Sequence, residues 1–232
     1  MDLKIKDVTE MLSVSETTIR RWLAEGKIPA YRLNKQYRFS RAEIENWVMS
    51  QRMGVETKAL PFAKNDDVEE MPSAGGMMQY SLYRAINKGG VFHDVPGDTK
   101  EEVIHATMQL LAKNLDLDAE VLTDLLLDRE RLMPTALNNG IAVPHTRDFI
   151  LGGHHDAVAV VTPQKPIDYG ALDGKPVHTM FFLFACEDRR HLHLLAKLAH
   201  MSSDEKAQEL MMSRPNKKEL LAYIRELEKN IQ

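Results

Sequence analysis

The chain has 232 residues, 44% hydrophobic and 28% charged, with 30 Lys/Arg against 34 Asp/Glu for a net charge of −4. That composition fits a globular protein of one or two domains and excludes collagen-like, disulfide-framed and strongly charged disordered chains, since the single Cys186 has no internal partner. No apolar run approaches the length of a membrane span and the first residues, MDLKIKDVTEM, hold no secretory apolar segment, so a cytoplasmic protein without membrane insertion is expected. The charge is uneven. Residues 1–52 carry ten Lys/Arg and seven Asp/Glu, which leaves −7 on 53–232. A basic small segment joined to an acidic larger one points to two different partners, although two solvated surfaces of different composition would give the same count.

Residues 1–52 read as one compact unit. Ile5, Val8, Met11 and Leu12 recur at helical spacing. After a short break Ser15 is a good N-cap for a second helix, SETTIRRWLAEG, with Ile19, Trp22 and Leu23 inward and Gly26 as its stop. Two helices across so short a turn give a helix-turn-helix. In AYRLNKQYRF, Tyr31 and Leu33 alternate with Arg32, and Tyr37 and Phe39 with Arg38, around Asn34-Lys35; this predicts a β-hairpin. Ser40 and Glu43 form a capping-box pattern before Ile44, Trp47 and Val48, which predicts a third helix. Residues 53–78, with Pro61, Pro72, Gly75, Gly76 and an acidic cluster at Asp66 to Glu70, break every period and read as a flexible linker that lets two domains move independently.

A second unit spans 79–232. SLYRAINKGG is a short helix or turn before VFHDV. Thr99 caps a helix from Lys100 to about Asn114 with Val103, Met108, Leu110 and Leu111 inward, and a helix from about Asp118 reaches Asp128-Arg129-Glu130. GIAVPH, the strand AVAVV (157–161), the strand 177–185, a helix from about Arg190 and a last helix over Lys217 to Lys229 follow. Helices alternating with β-branched or aromatic runs predict an α/β sandwich, a mixed sheet flanked by helices, beside the smaller N-terminal winged helix-turn-helix domain.

In the first unit the second helix would expose Thr17, Thr18, Arg20 and Arg21, and the hairpin would present Arg32, Lys35 and Arg38. Hydroxyls and arginines suit base edges and phosphates of double-stranded DNA, with the hairpin as a wing. A protein-docking module with surface arginines is the alternative. In the second unit GIAVPHTRD is the stretch of greatest chemical interest. Gly140 permits a sharp entry, and Pro144 fixes its own φ and keeps Val143 extended, so His145 is presented rigidly at a strand end. Such a histidine is either a nucleophile for a phosphoryl group or a structural strand-end residue. Phosphoryl transfer requires one neutral tautomer, cations for the phosphoryl oxygens and exclusion of water. Arg129 ends the preceding helix and Arg147 is close in sequence. In RHLHLLAKLAH, His191 shares the face of Leu194, Leu195 and Leu198, while His193, Lys197 and His200 lie opposite. Taken without His145, His191 is a half-buried structural histidine. His154-His155 lacks partners at ligand spacing and reads as a surface loop, Cys186 reads as inert packing, and no glycine-rich phosphate loop is present, so neither a metal nor a cofactor is expected.

Two resemblances bear on these residues. VSETTIRRWLAEGKIPAYRLNKQYRFSRAEIENWV, within about 3–50, is similar to the excisionase-type winged helix-turn-helix domains related to the MerR class, which implies duplex DNA binding and use as a dimer or in tandem copies. LLLDRERLMPTALNNGIAVPHTR resembles the signature of phosphotransferase-system IIA domains of the fructose/mannitol type, including the nitrogen-regulatory branch; DGKPV (173–177), HLHLLAKLA (191–199) and GDTKEEV (97–103) match the same family over roughly 80–229. That resemblance implies that His145 accepts the phosphoryl group, that His191 hydrogen-bonds it, that Arg129 helps neutralise it, and that an HPr-type phosphocarrier is the donor. The chain departs from the pattern at Ala136 and Asn138, where the family has glycines. The expected function is a IIA-like regulatory protein that couples the state of His145 to DNA binding. The alternative is a IIA phosphocarrier component of carbohydrate uptake that passes phosphate to a IIB cysteine. A purely structural interaction protein is the third reading.

Overall fold

The computed structural model describes residues 2–12, 14–33, 36–50, 80–115, 118–146 and 155–230. The expected linker 53–78, the turn Asn34-Lys35 and Arg147 lie outside these residues.

The first unit begins with a short strand, β1 (Asp2–Leu3), followed by helices α1 (Ile5–Leu12) and α2 (Glu16–Ala24), strands β2 (Tyr31–Leu33) and β3 (Gln36–Ser40), and helix α3 (Arg41–Ser50). Ser15 caps α2 by accepting the Thr18 N–H, as its position suggested. The hairpin has the two-residue register, Leu33 opposite Gln36 and Tyr31 opposite Arg38. The sequence did not announce β1, which joins the free edge of β3 in antiparallel register. Val8, Ile19, Phe39 and Ile44 are fully buried between the three helices and the hairpin. Trp22 and Trp47 meet at 5.3 Å between ring centroids, and the Trp47 indole N–H donates to the Lys27 carbonyl, so the aromatic pair closes the core with its polar edge satisfied.

The second unit comprises α4 (Ser81–Gly89), β4 (Val91–Val95), α5 (Lys100–Leu115), α6 (Ala119–Leu132), β5 (Ile141–Ala142), β6 (Ala157–Pro163), β7 (Thr179–Phe184), α7 (Asp188–Met201), α8 (Glu205–Met212) and α9 (Lys217–Asn230). The sheet order is β4-β6-β7-β5. The β4–β6 and β5–β7 pairs are parallel and β6–β7 is antiparallel, the mixed sheet that was expected. Every residue of β6 and β7 is buried, which explains why AVAVVTP and TMFFLF do not alternate with polar residues. Ala159, Val161, Phe182 and Phe184 pack on α5 and α6, while Val158, Val160, Phe181 and Leu183 join the core formed with α4, α7 and α9. Each buried Phe contributes about 1.5–3 kcal/mol. Gly89, the last residue of α4, lies so close to β6 that a Cβ there would come within 2.3 Å of the Val158 carbonyl carbon.

Three details differ from expectation. Leu110 is 46% exposed, because the inward face of α5 is set by Val103, Met108 and Leu111 and Leu110 points past it. His193 was expected on the outer face of α7 but is buried, because α1 and α3 of the first unit lie against this helix and cover that face too. A further helix, α8, is capped by the Asp204 carboxylate accepting the Ala207 N–H. The two units pack face to face, and one apolar cluster runs from Val8, Trp22 and Ile44 to Leu82, Leu192 and Leu195.

Candidate functional site

The loop from α6 to β5 prepares the site. Glu130 in the last turn of α6 accepts both the backbone N–H and the hydroxyl of Thr135. The chain then reverses tightly, with the Leu137 N–H donating to Ile141 O at 2.7 Å and the Val143 N–H to Thr135 O at 3.0 Å. Asn139 and Gly140 take positive φ, 64° and 71°. At Gly140 the choice of residue is forced twice, since a Cβ would also come 2.4 Å from the His178 ring. Ala136 and Asn138, the departures from the family pattern, are not at positive φ, so replacing glycine there carries no backbone strain.

This turn delivers His145 beside β7, where the Leu183 N–H donates to the Pro144 carbonyl at 2.9 Å. Nδ1 of His145 lies 2.7 Å from Val143 O, an acceptor only. Nδ1 therefore carries a proton, and in the neutral ring the lone pair is on Nε2. Nε of Arg129 is 3.2 Å from that Nε2, and the same guanidinium donates through Nη1 to Met133 O at 3.0 Å. His191, in the first turn of α7, meets His145 edge-on at 5.1 Å between centroids. Burial, followed by the positive charges of His145, Arg41 and Arg129, pulls the His191 pKa well below 6.5 against the opposing effect of Glu45, so this ring is neutral. Nε2 of His191 and Nη2 of Arg129 are buried without a hydrogen-bond partner. The structure thus brings His145, His191 and Arg129 together from three elements, with a buried nitrogen of His191 and one of Arg129 left without a partner. The Arg129 nitrogen is a donor without an acceptor and suits an oxyanion.

A fourth residue, not singled out from the sequence, comes from the other unit. Oε1 of Glu45, on α3, is 2.6 Å from His145 Nε2 and 3.0 Å from Arg129 Nε, and both Glu45 and His145 are 0% exposed. Burial alone would raise the Glu45 pKa. The hydrogen bond from His145 and the positive charges of His145, His191 and Arg129 outweigh burial and hold this carboxyl well below the usual range. At this distance the Glu45 carboxylate occupies the position in front of Nε2, the nitrogen that would attack.

Among the described residues, donor atoms of Glu45, His145 and His191 all lie within 4.8 Å of one another, a set that divalent transition metals accept. The Arg129 guanidinium lies within 3.2 Å of two of those three atoms, where it would repel a cation.

The residues expected to meet DNA are not part of this cluster. Thr17, Arg20, Arg21 and Arg32 are exposed. Thr18 is half-buried, with its hydroxyl 3.0 Å from that of Ser15. Arg20 pairs with Glu16, Arg32 stacks over Tyr37, and Arg38 donates to Gln36. Lys35 lies outside the described residues. His155 is exposed. Burial and the neighbouring Asp156 carboxylate push the Cys186 thiol up, consistent with an inert cysteine. Among the described residues no helix is long and apolar enough to cross a membrane.

His145 at the edge of the mixed sheet, His191 on α7 and Arg129 on α6 thus form one buried cluster. Residues 84–227 match the family model described as "Phosphoenolpyruvate-dependent sugar phosphotransferase system, EIIA 2", and the chain belongs to that family. Residues 3–52 match a helix-turn-helix domain model. The chain is 32% identical over 146 residues to a nitrogen regulatory protein of Pseudomonas aeruginosa, covering 62% of this chain and 94% of that one. It is 30% identical over 129 residues to the fructose-specific EIIABC component of Bacillus subtilis, covering 55% of this chain and 19% of that one. Among solved structures it is similar to nitrogen regulatory protein IIA-Ntr from Neisseria meningitidis, with a TM-score of 0.53 and 28% identity over 58% of this chain and 92% of the other.

Proposed function

We propose that this chain is a IIA-like regulatory protein in which His145 accepts a phosphoryl group from an HPr-type phosphocarrier and the state of His145 governs DNA binding by the N-terminal domain. The observation that carries this reading is the His145 ring. Its Nδ1 is committed to Val143 O, and its Nε2 faces Arg129 beside the neutral His191. Nε2 attacks phosphorus, the donor imidazole leaves with its bonding pair, and Arg129 and His191 meet the charge on the transferred oxygens. In this reading residues 1–52 bind DNA through Thr17, Thr18, Arg20 and Arg21, with Arg32, Lys35 and Arg38 on the wing, and 79–232 carry the phosphoryl chemistry across the linker 53–78. Labelling with phosphoenolpyruvate, enzyme I and an HPr-type carrier is expected to modify wild type and not His145→Ala; equal labelling of the two refutes the assignment. A second reading, supported by the likeness to the EIIABC component, is transfer onward to a IIB cysteine in carbohydrate uptake. Transfer of label to a IIB domain, with no DNA binding even at low salt, would favour it.

A further inference from the structure

Glu45 has no part in the chemistry just described, yet it holds the centre of the site. Its carboxylate is an anion from a different domain, seated on the nitrogen that would bond phosphorus and paired with the arginine that would neutralise the phosphoryl oxygens. We propose that Glu45 is a built-in competitor for the phosphoryl site, so that docking of the helix-turn-helix domain and phosphorylation of His145 exclude each other. The inference rests on His145 being the acceptor.

Three observations support it. The first is steric. With Oε1 only 2.6 Å from Nε2, a phosphorus atom bonded to Nε2 and carrying three oxygens would occupy the volume of the Glu45 carboxylate. The second is electrostatic. Arg129 serves one carboxylate in the docked state; a phosphohistidine brings close to two negative charges to the same point and repels Glu45. The third is access. His145 and His191 are at most 1% exposed with the first unit in place, because α3 and α1 cover α7, so no donor phosphohistidine can approach in line. The docked domain therefore blocks both the lone pair and the path to it.

The sequence of events is fixed by chemistry. The first domain leaves, taking Glu45 from the pocket. With the proton held on Nδ1 by Val143 O, the Nε2 lone pair of His145 forms the new N–P bond as the donor's N–P bond breaks and the electron pair stays on the donor. The modified site then rejects Glu45, and the domain remains free until hydrolysis or onward transfer removes the phosphoryl group. Residues Thr17, Arg20, Arg21 and Arg32 are exposed in the docked state. What docking changes is the freedom of that DNA-reading face to be oriented, not its accessibility.

The test uses the full chain and phosphoramidate, a small donor that needs no cognate carrier, with mass spectrometry following the label on His145. The observed rate is the intrinsic rate multiplied by the undocked fraction. Glu45→Ala removes one member of a buried charged set and is expected to label about tenfold faster than wild type or more. Glu10→Arg lies outside the pocket and reverses the charge facing Arg189 at 3.6 Å on the rim; it is expected to accelerate labelling by about two- to fivefold. Small-angle scattering should show wild type expanding on labelling and His145→Ala unchanged by the same treatment. Labelling of Glu45→Ala and Glu10→Arg at the wild-type rate, or a labelled wild type as compact as the unlabelled one, overturns the competition and leaves the acceptor role of His145 standing. Absence of label on His145 in every variant overturns the acceptor reading, and this inference with it.

Discussion

Replacing Glu45 by Ala has a consequence for stability that the structure makes calculable. Both tryptophans of the chain, Trp22 and Trp47, lie in the first unit, so their fluorescence in urea reports its unfolding. A unit of about 50 residues has a small core and marginal stability by itself, and docking adds to it by mass action. Glu45 contributes two charge-assisted contacts, at 2.6 and 3.0 Å, in a fully buried setting. Removing one partner of such a set costs about 3–5 kcal/mol, because Arg129 stays buried without its counter-ion unless the domains separate. Separation limits the loss to the docking free energy, so about 2–3 kcal/mol is the expected effect. With a urea m-value of about 1 kcal/mol/M for so small a unit, the fluorescence midpoint should fall by about 2–3 M. Arg129→Met removes the same contact from the other side. The Glu45→Ala/Arg129→Met double variant should therefore lose less than the sum of the two, by about 1 kcal/mol or more. A midpoint shift below about 0.5 M, or strict additivity, would refute the claim that this contact joins the two units.

Three other outcomes follow from the geometry. Gly140→Ala places a methyl group 2.4 Å from the His178 ring at a φ of 71°, and should destabilise the second unit by about 2–4 kcal/mol in a circular-dichroism melt, a loss under about 0.5 kcal/mol showing that the turn relaxes freely. His191 has its pKa pulled below 6.5 in the folded state, mainly by burial, so below pH 6.5 the unfolded chain binds more protons. Its contribution is fully present above pH 6.5 and is lost as pH falls, at up to about 1.4 kcal/mol per pH unit, and thermal melts at pH 5 and 7.5 should differ by less in His191→Asn than in wild type. On the DNA side, Arg21→Ala should weaken binding uniformly across sequences and reduce the slope of log K against log salt by about one, as expected for a lost phosphate contact.

Much of the fold was legible because local signals and tertiary structure agree. Ser15 caps α2, Asp118 starts α6, and the apolar runs of β6 and β7 mark a sheet covered on both faces. Misreadings arose where burial comes from a distant segment. His193 faces away from Leu194 and Leu198 on an isolated helix, and only the arrival of α1 and α3 buries it. A two-residue strand such as β1 has too few positions to show a period, and it forms because β3 offers an open edge.

The site divides along the same line. His145 carries a local mark, a strand end after proline; Arg129 and His191 sit at a helix end and on a core-facing helix turn, and only the family resemblance singles them out. Glu45 carries no such mark. At 100° per residue, Glu43 and Glu45 lie on opposite flanks of the stripe made by Ile44, Trp47 and Val48, and nothing in α3 distinguishes them. In the folded protein Glu43 is exposed and Glu45 is fully buried against a histidine 100 positions later in the chain. The difference is made by which flank meets the other domain. A carboxylate is costly to bury without partners, so its place between Arg129 and His145 means that these two residues of the second domain help hold the first. In the proposed reading Arg129 cannot serve Glu45 and a phosphoryl group on His145 together, and in that competition the phosphoryl group brings the larger charge.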